Sequence, residues 1–196
     1  LVAGNYTCTI TDAHGCGTSA SAAIMQPTAA LNVSIGGQND VLCFGNSTGS
    51  ATANAIGGTT PYSFAWSNGQ STATAAGLAA GDHTCTVTDA NGCTAIATAT
   101  IAQPTVPLNA SIASSTDVSC SGGNDGTAAM NVTGGTVGYS YSWNTTPVQN
   151  GVIATDLSAG TWTCTITDVN GCGTTSSAVI NEPAMALNAA IIAQKN

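Results

Sequence analysis

The chain has 196 residues and a net charge of −8, with Lys195 as its single cation and no arginine. Such a chain has no basic patch that could neutralise phosphates, which excludes nucleic-acid binding and attraction to an anionic membrane surface. Eight cysteines without metal-like clustering indicate an oxidising, extracellular compartment, and no apolar run reaches the roughly 18 residues that a membrane span requires.

A motif near the start of the chain is repeated twice. Residues 4–16 (GNYTCTITDAHGC) return as residues 81–93 (GDHTCTVTDANGC) and again as residues 160–172 (GTWTCTITDVNGC), with offsets of 77 and then 79 residues. Self-similarity at a fixed period is the sequence signature of tandem repeat domains. We therefore predict a tandem array of small domains.

The repeat divides the chain into two partial and two full copies. Residues 1–27 correspond to the last two strands of a truncated copy, residues 28–104 and 105–183 to two full copies, and residues 184–196 to the first strand of a following copy. The partial copies are together too short to complete one repeat, and the chain begins inside a motif. We expect the sequence to be a window from a longer polypeptide.

Each full copy contains short alternating stretches separated by turn residues. In the first full copy they predict strands near residues 30–35, 49–56, 61–66, 71–76, 82–88 and 93–101. In the fifth of these, His83, Cys85 and Val87 alternate with threonines, which is the pattern of a half-buried antiparallel strand. Six or seven short strands in so few residues predict an all-β fold of tandem immunoglobulin-like antiparallel β-sandwich domains.

The aromatic residues favour the same fold. Trp66 and Trp143 end Tyr-x-x-x-Trp strands, where a large ring can fill the gap between two sheets. Tyr6, His83 and Trp162 lie two residues before a strand cysteine and just after an Ala-Gly turn. This is the position of the tyrosine corner in immunoglobulin-like domains, although only one of the three copies carries tyrosine.

The combined pattern resembles a known repeat. Its parts in the first full copy are Cys43, Gly57-Gly58-Thr59-Thr60-Pro61-Tyr62, Trp66-Ser67-Asn68-Gly69, Gly77-Leu78-Ala79-Ala80-Gly81 and Thr88-Asp89-Ala90-Asn91-Gly92-Cys93. This pattern is similar to the gliding-adhesin (SprB-type) repeat of very long surface proteins of Bacteroidota. The resemblance implies secretion, tandem repetition and a role in surface filaments, adhesion or gliding.

Each full copy has three cysteines, which are Cys43, Cys85 and Cys93 in the first and Cys120, Cys164 and Cys172 in the second. An odd number means that one cysteine of each copy is left out or pairs between units. Cys85 and Cys93 lie too far apart across a hairpin to form a disulfide. The partner of Cys43 is then Cys93 or Cys85.

The family resemblance favours structural disulfides Cys43–Cys93 and Cys120–Cys172. Cys16 would then pair with a cysteine upstream of residue 1. The remaining cysteines are expected on the inward face of their strands as small buried hydrophobic residues; they are Cys8, Cys85 and Cys164.

Neither histidine keeps its place between copies. The other copies have Asn at the position of His14, and Tyr or Trp at the position of His83. Since a hydrolytic triad needs a histidine beside its nucleophile, we predict that the chain is not an enzyme. A zinc site needs four closely placed nitrogen or sulfur ligands, and we expect no metal and no cofactor.

The motif also places an aspartate at the start of a turn in every copy. Asp12, Asp89 and Asp168 open Asp-x-Asn/His-Gly turns, where the carboxylate can accept hydrogen bonds from its own backbone as an Asx-turn. Calcium binding is the alternative, but the turn lacks the several carboxylates and the bidentate glutamate of a calcium loop. We favour the Asx-turn.

Six Asn-x-Ser/Thr sequons are candidate glycosylation sites, in a number that this composition produces by chance. They begin at Asn5, Asn32, Asn46, Asn109, Asn131 and Asn144.

Two functions compete. The first is a structural repeat segment of a secreted bacterial cell-surface filament, stiffened by disulfides within each domain and associating with itself or with neighbouring repeats of the same polypeptide. The alternative is an adhesive or carbohydrate-binding module of a gliding or biofilm adhesin, with surface glycans as its partner. Trp162 is the aromatic residue unique to its copy and the candidate contact of such a module.

Overall fold

The computed structural model describes residues 1–190, which form β-strands joined by turns and loops. No helix in this part of the chain is long and apolar enough to cross a membrane. The partial copy at the start of the chain forms a two-stranded antiparallel sheet of β1 (Gly4–Thr11) and β2 (Gly17–Ile24).

The first full copy contains six strands in two three-stranded sheets, ordered β3-β4-β6 and β5-β7-β8. Their bounds are β3 (Asn32–Asn39), β4 (Gly49–Ile56), β5 (Ser63–Trp66), β6 (Thr74–Leu78), β7 (Gly81–Thr88) and β8 (Thr94–Ile101).

The second full copy repeats this arrangement, with sheets ordered β9-β10-β12 and β11-β13-β14. Its strands are β9 (Asn109–Thr116), β10 (Gly126–Thr133), β11 (Ser140–Trp143), β12 (Ile153–Leu157), β13 (Gly160–Thr167) and β14 (Gly173–Ile180).

All six strands predicted for the first full copy are present, with bounds that differ from the predicted ones by at most four residues. β3 continues to Asn39, because its pairing with β4 shifts register between Ile35 and Gly37 and then resumes. A bulge of this kind places an extra residue in one strand without ending it. β6 begins at Thr74, three residues later than predicted.

Both sheets of the second full copy contribute to one hydrophobic core. Its buried members come from five of the six strands and from the loop before β10; they are Val118, Ala128, Met130, Trp143, Ala154, Leu157, Cys164, Ile166, Ala178 and Ile180. Two antiparallel sheets that bury their facing side chains against each other form a β-sandwich. The predicted fold class, tandem immunoglobulin-like β-sandwiches, is confirmed.

The tryptophans fill these sandwiches as the sequence predicts. Trp66 and Trp143 are 4% and 1% exposed. Their indole Nε1 atoms donate to carbonyl oxygens of the following loop, from Trp66 to Thr72 at 2.9 Å and from Trp143 to Gly151 at 3.0 Å. Each ring is therefore buried with its one polar group paired.

The tyrosine-corner position is used by two different side chains. The hydroxyl of Tyr6 donates to the carbonyl oxygen of Val2 at 2.8 Å. The indole Nε1 of Trp162 donates to the carbonyl oxygen of Ser158 at 2.9 Å, again four residues upstream. Tryptophan therefore makes the same backbone contact as tyrosine at this position.

By compactness the chain divides into two units. The first comprises residues 1–39, 50–76 and 82–100, and the second comprises residues 40–49, 77–81 and the chain from residue 101 onward. The copy boundaries expected at residues 28–104 and 105–183 stay predictions. Residues 184–190 form no strand, and the rest of the predicted first strand of a following copy lies outside the described residues.

Candidate functional site

The candidate site is built on the turn between β13 and β14, where Asp168 organises the backbone. Its Oδ1 accepts hydrogen bonds from the backbone N–H groups of Asn170 and Cys172, both at 2.9 Å. Its Oδ2 accepts a third from the N–H of Thr136, also at 2.9 Å. The carboxylate thus connects the turn to the loop that contains Thr136 and fixes the position of Cys172.

The equivalent turn of the first full copy is built in the same way. Asp89 accepts hydrogen bonds from the N–H groups of Asn91, Cys93 and Thr59, each at 2.9 Å. Asp12 accepts the corresponding two from His14 and Cys16. The Asx-turn interpretation is therefore confirmed in all three copies. The bonds to Thr59 and Thr136 were not predicted, because they join segments that are distant in the sequence.

These bonds favour the ionised form of the two buried aspartates. The N–H of Thr59 is the largest influence and holds the pKa of Asp89 below its ordinary value, with burial acting in the opposite direction. The N–H of Thr136 does the same for the pKa of Asp168. Backbone donors around a carboxylate stabilise its charge and so lower its pKa.

We expect acid to weaken the fold through these two groups. A carboxyl group with a lowered folded-state pKa contributes stability above the ordinary aspartate pKa near 4, and this contribution is lost as the pH falls through the folded-state value. The Asp168→Asn variant should therefore lose part of the pH dependence of unfolding below about pH 4. Urea unfolding across that range measures it.

Asp156→Asn is the matched control. Asp156 is exposed, and its carboxylate accepts a hydrogen bond from the hydroxyl of the adjacent Thr155 at 3.1 Å. Its variant should keep the pH dependence of the unchanged chain. Equal behaviour of the two variants would show that Asp168 does not carry the acid sensitivity.

A loop of nine residues, 40–48, presents the cysteine that meets this turn. Its start is held where the N–H of Val41 donates to the carbonyl oxygen of Ala102 at 2.9 Å and Asp40 Oδ1 accepts from the N–H of Ala102 at 3.0 Å. Further along, the N–H of Gly45 donates to Gln103 Oε1 at 2.8 Å. Cys43 lies at the turn between these two anchors.

Cys43 is bonded to Cys172, with a Cα–Cα distance of 5.6 Å and a sequence separation of 129 residues. Asn170 supports the contact, since its Nδ2 donates to the carbonyl oxygen of Leu42 at 3.3 Å. The predicted pairings Cys43–Cys93 and Cys120–Cys172 are therefore wrong. The physical reason is that the loop carrying Cys43 lies against Cys172 of the other full copy, within the second compact unit.

The remaining cysteines are free thiols in two environments. Cys85 and Cys164 are buried, as predicted, and burial raises the pKa of both thiols. Cys8 is exposed, contrary to prediction, because no second sheet covers β1 and β2 among the described residues. The other exposed thiols are Cys16, Cys93 and Cys120.

A cavity of about 300 Å³ adjoins the disulfide in the second unit. It is lined by Cys43, Phe44, Pro107, Leu108 and Cys172 among others. Phe44 is 44% exposed beside it. The loop thus brings one large apolar side chain to the region of the bond.

Within residues 1–190, no group of three or more His, Cys, Asp or Glu side chains is arranged to hold a metal ion. His14 lies exposed in the turn after β1, and His83 lies half-buried on β7. The asparagines of all six sequons are exposed, and Asn144 also accepts a hydrogen bond from the N–H of Thr163 at 2.8 Å. Their glycosylation stays a prediction.

Comparison with known proteins gives two matches to a repeat family and several distant structural similarities. Residues 36–71 and 112–147 match the SprB repeat. No curated protein matches the chain. One similar solved structure is the N-terminal eight Ig domains of Down Syndrome Cell Adhesion Molecule isoform 1.30.30, at 15% identity and a TM-score of 0.44, covering 92% of this chain and 27% of that one.

Two further solved structures are similar at lower TM-scores. DIP-gamma IG1+IG2 has 12% identity and a TM-score of 0.33, over 80% of this chain and 96% of that one. A tetra-tandem repeat in the extending region of a large adhesion protein has 15% identity and a TM-score of 0.28, over 92% and 57%. The two matches to the SprB repeat fall on equivalent parts of the two full copies.

Proposed function

We propose that the chain is a structural repeat segment of a secreted bacterial cell-surface filament. The observation that carries this proposal is the Cys43–Cys172 disulfide, which joins a residue of one full sequence copy to a residue of the next. A covalent bond between successive copies serves a protein that must transmit force along its length. The expected stiffening therefore comes from a bond between copies, in place of the bonds predicted within each copy.

The bond has a direct mechanical consequence. Because it closes the segment between residues 43 and 172, tension applied to the chain on either side passes through the two sulfur atoms. The strands between the two cysteines, β4 to β13, then carry no tension and are not unfolded one after another. Two of the buried anchors in that segment are Trp66 and Trp143.

The composition supports a position outside the cell. One cation in 196 residues leaves trypsin-like proteases almost nothing to cut. A net charge of −8 favours solubility. Together with the SprB repeats, these features support a non-enzymatic protein of the cell surface that associates with itself or with neighbouring repeats.

The adhesive alternative is less well supported by the aromatic residues. The indole of Trp162 is half-buried, packs against the core and donates its N–H to Ser158. It therefore contributes to the fold, whereas a glycan-contacting ring needs a free face. Exposed sequon asparagines such as Asn46 and Asn131 support glycans carried by the chain as much as glycans bound by it.

Electron microscopy of the native assembly tests the proposal. We expect unbranched fibres in which the repeats run end to end. A protein that stays monomeric and binds a glycan array, with binding lost in Trp162→Ala, would contradict the filament and support the adhesive module. Trp162→Phe serves as the matched control because it keeps an aromatic ring.

A further inference from the structure

Two exposed thiols of the full copies occupy the same positions as the two bonded cysteines. Cys120 lies in the loop between β9 and β10, as Cys43 lies in the loop between β3 and β4. Cys93 ends the Asp89 turn, as Cys172 ends the Asp168 turn. Both Cys93 and Cys120 are exposed and free.

The loop that carries Cys120 is held in the same geometry as the loop that carries Cys43. The N–H of Val118 donates to the carbonyl oxygen of Asn181 at 2.9 Å, and Asp117 Oδ1 accepts from the N–H of Asn181 at 2.8 Å. These bonds repeat those between residues 40–41 and Ala102. The loop is therefore fixed at its base in both copies.

The turn that presents the cysteine is also repeated. The N–H of Gly123 donates to the carbonyl oxygen of Cys120 at 2.9 Å, as Asn46 does to Cys43 at 3.1 Å. Gly122 has φ +76° and Gly45 has φ +78°, a left-handed conformation that glycine adopts without strain. Cys120 is therefore presented as Cys43 is, without a partner sulfur.

The turn that carries Cys93 is likewise preformed. Asn91 Nδ2 donates to Thr59 Oγ1 at 2.9 Å, just as Asn170 Nδ2 donates to Thr136 Oγ1 at 2.9 Å. Asn170 additionally reaches the carbonyl oxygen of Leu42 on the loop that it meets.

The surface beside Cys93 is concave. A cavity of about 400 Å³ lies there, lined by Gln26, Pro27, Ala30, Leu31, Asp89 and Cys93 among others. Ala30 and Leu31 occupy the sequence positions of Pro107 and Leu108, which lie beside the Cys43–Cys172 bond.

We propose that Cys93 and Cys120 each form a disulfide of the Cys43–Cys172 type with another repeat of this class. Cys93 accepts the loop cysteine of the repeat before it, and Cys120 bonds to the turn cysteine of the repeat after it. A ladder of such bonds would connect every repeat to the next. The inference deepens the proposed function and rests on its tandem arrangement.

The chemistry is thiol–disulfide exchange with a disulfide oxidant. The two cysteines lose two protons and two electrons as their sulfur–sulfur bond forms. The oxidant's own sulfur–sulfur bond is broken, and it leaves as two thiols. The attacking thiolate must be accessible. Cys93 and Cys120 are exposed and meet this requirement, whereas Cys85 and Cys164 are buried.

Peptide mapping of the native oxidised polypeptide tests the pairing directly. Cleavage before aspartate places each of the eight cysteines in a different peptide, with Cys43 in 40–81, Cys93 in 89–116, Cys120 in 117–124 and Cys172 in 168–196. After free thiols are blocked at acidic pH, we expect peptide 117–124 to be linked to a turn peptide of the Asp-x-Asn-Gly-Cys type. Peptide 89–116 should be linked to a loop peptide.

Other results would overturn the proposal. In one, peptides 89–116 and 117–124 are both recovered with their thiols blocked. In the other, peptide 89–116 is linked to 40–81 and peptide 117–124 is linked to 168–196. The mass before and after reduction shows whether the joined repeats belong to one polypeptide or to two copies. Fibres that lack these links would refute the disulfides between successive repeats but not the proposed filament. The two proposals can therefore fail separately.

The purified chain provides a second measurement, with its own copies as the probe. Oxidised glutathione is added, and four exposed thiols compete for bonding: Cys8, Cys16, Cys93 and Cys120. We expect links from 117–124 to the turn peptides 89–116 and 12–39 to dominate. They should vanish in Cys120→Ser and persist in the control Cys8→Ser, because Cys8 lies on a strand. Links spread evenly over the four thiols, or no links, would contradict the proposal.

Discussion

Replacing Trp143 with alanine is expected to lower the free energy of unfolding by about 3–5 kcal/mol, the usual cost of deleting a large buried aromatic side chain. Trp143 is 1% exposed and lies in the core shared by both sheets of the second full copy. The substitution also leaves the carbonyl oxygen of Gly151 without its donor. Urea unfolding followed by far-UV circular dichroism measures the loss without using the deleted fluorophore.

Trp162→Ala is the matched control for this prediction. Trp162 is only half-buried, at the edge of the same core, and makes one hydrogen bond to Ser158. Its loss should cost less, about 1–2 kcal/mol. Similar losses in the two variants, or a loss below about 1 kcal/mol for Trp143→Ala, would show that the ring of Trp143 does not fill the core.

The strands could be predicted because their signal is local. In β7, Cys85 and Val87 are buried and the threonines that alternate with them are not fully buried, as the alternation predicts. The bound of β3 was predicted poorly because two glycines, Gly36 and Gly37, hide the continuing strand. A side chain at Gly36 would collide with Asn54 on the neighbouring strand, so the glycine marks a close approach within the sheet.

The cysteine pairing could not be predicted from one copy. The family resemblance favours a partner of Cys43 within its own copy, whereas the structure pairs Cys43 with Cys172 of the next copy. The useful signal was the odd number of cysteines in each copy. Three cysteines with one buried on the strand leave a loop cysteine and a turn cysteine, which can pair between successive copies.

The aspartate turns show how far a local signal extends. The bonds that Asp168 accepts from the N–H groups of Asn170 and Cys172 lie within the motif, which predicts them. The bond from Thr136 comes from a residue 32 positions away. Gly135 precedes it, with φ +60°, and a Cβ there would lie 2.8 Å from Asp168 Oδ2. The Gly-Gly-Thr part of the repeat therefore leaves space for the aspartate carboxylate and supplies an N–H donor to it.

Replacing Cys43 with serine is expected to lower the free energy of unfolding of the oxidised chain by up to about 5 kcal/mol. The bond closes a loop of 129 residues in sequence separation, and the entropy that it removes from the unfolded chain grows with the logarithm of loop length. Cys172→Ser removes the same bond. The two variants should therefore lose equal amounts, and the double variant should lose no more than either one.

The repeat supplies a matched control for each of these substitutions. Cys120→Ser changes the loop cysteine, and Cys93→Ser the turn cysteine, at equivalent positions where the thiol is free and exposed. Each should change the free energy of unfolding by no more than about 0.5 kcal/mol, as surface substitutions usually do. A reductant should remove the difference between Cys43→Ser and the unchanged chain. Two results would contradict the prediction. One is a loss of unfolding free energy in Cys43→Ser no larger than in Cys120→Ser, and the other is a double variant whose loss is the sum of the two single losses. Either would show that the disulfide does not stabilise the second unit.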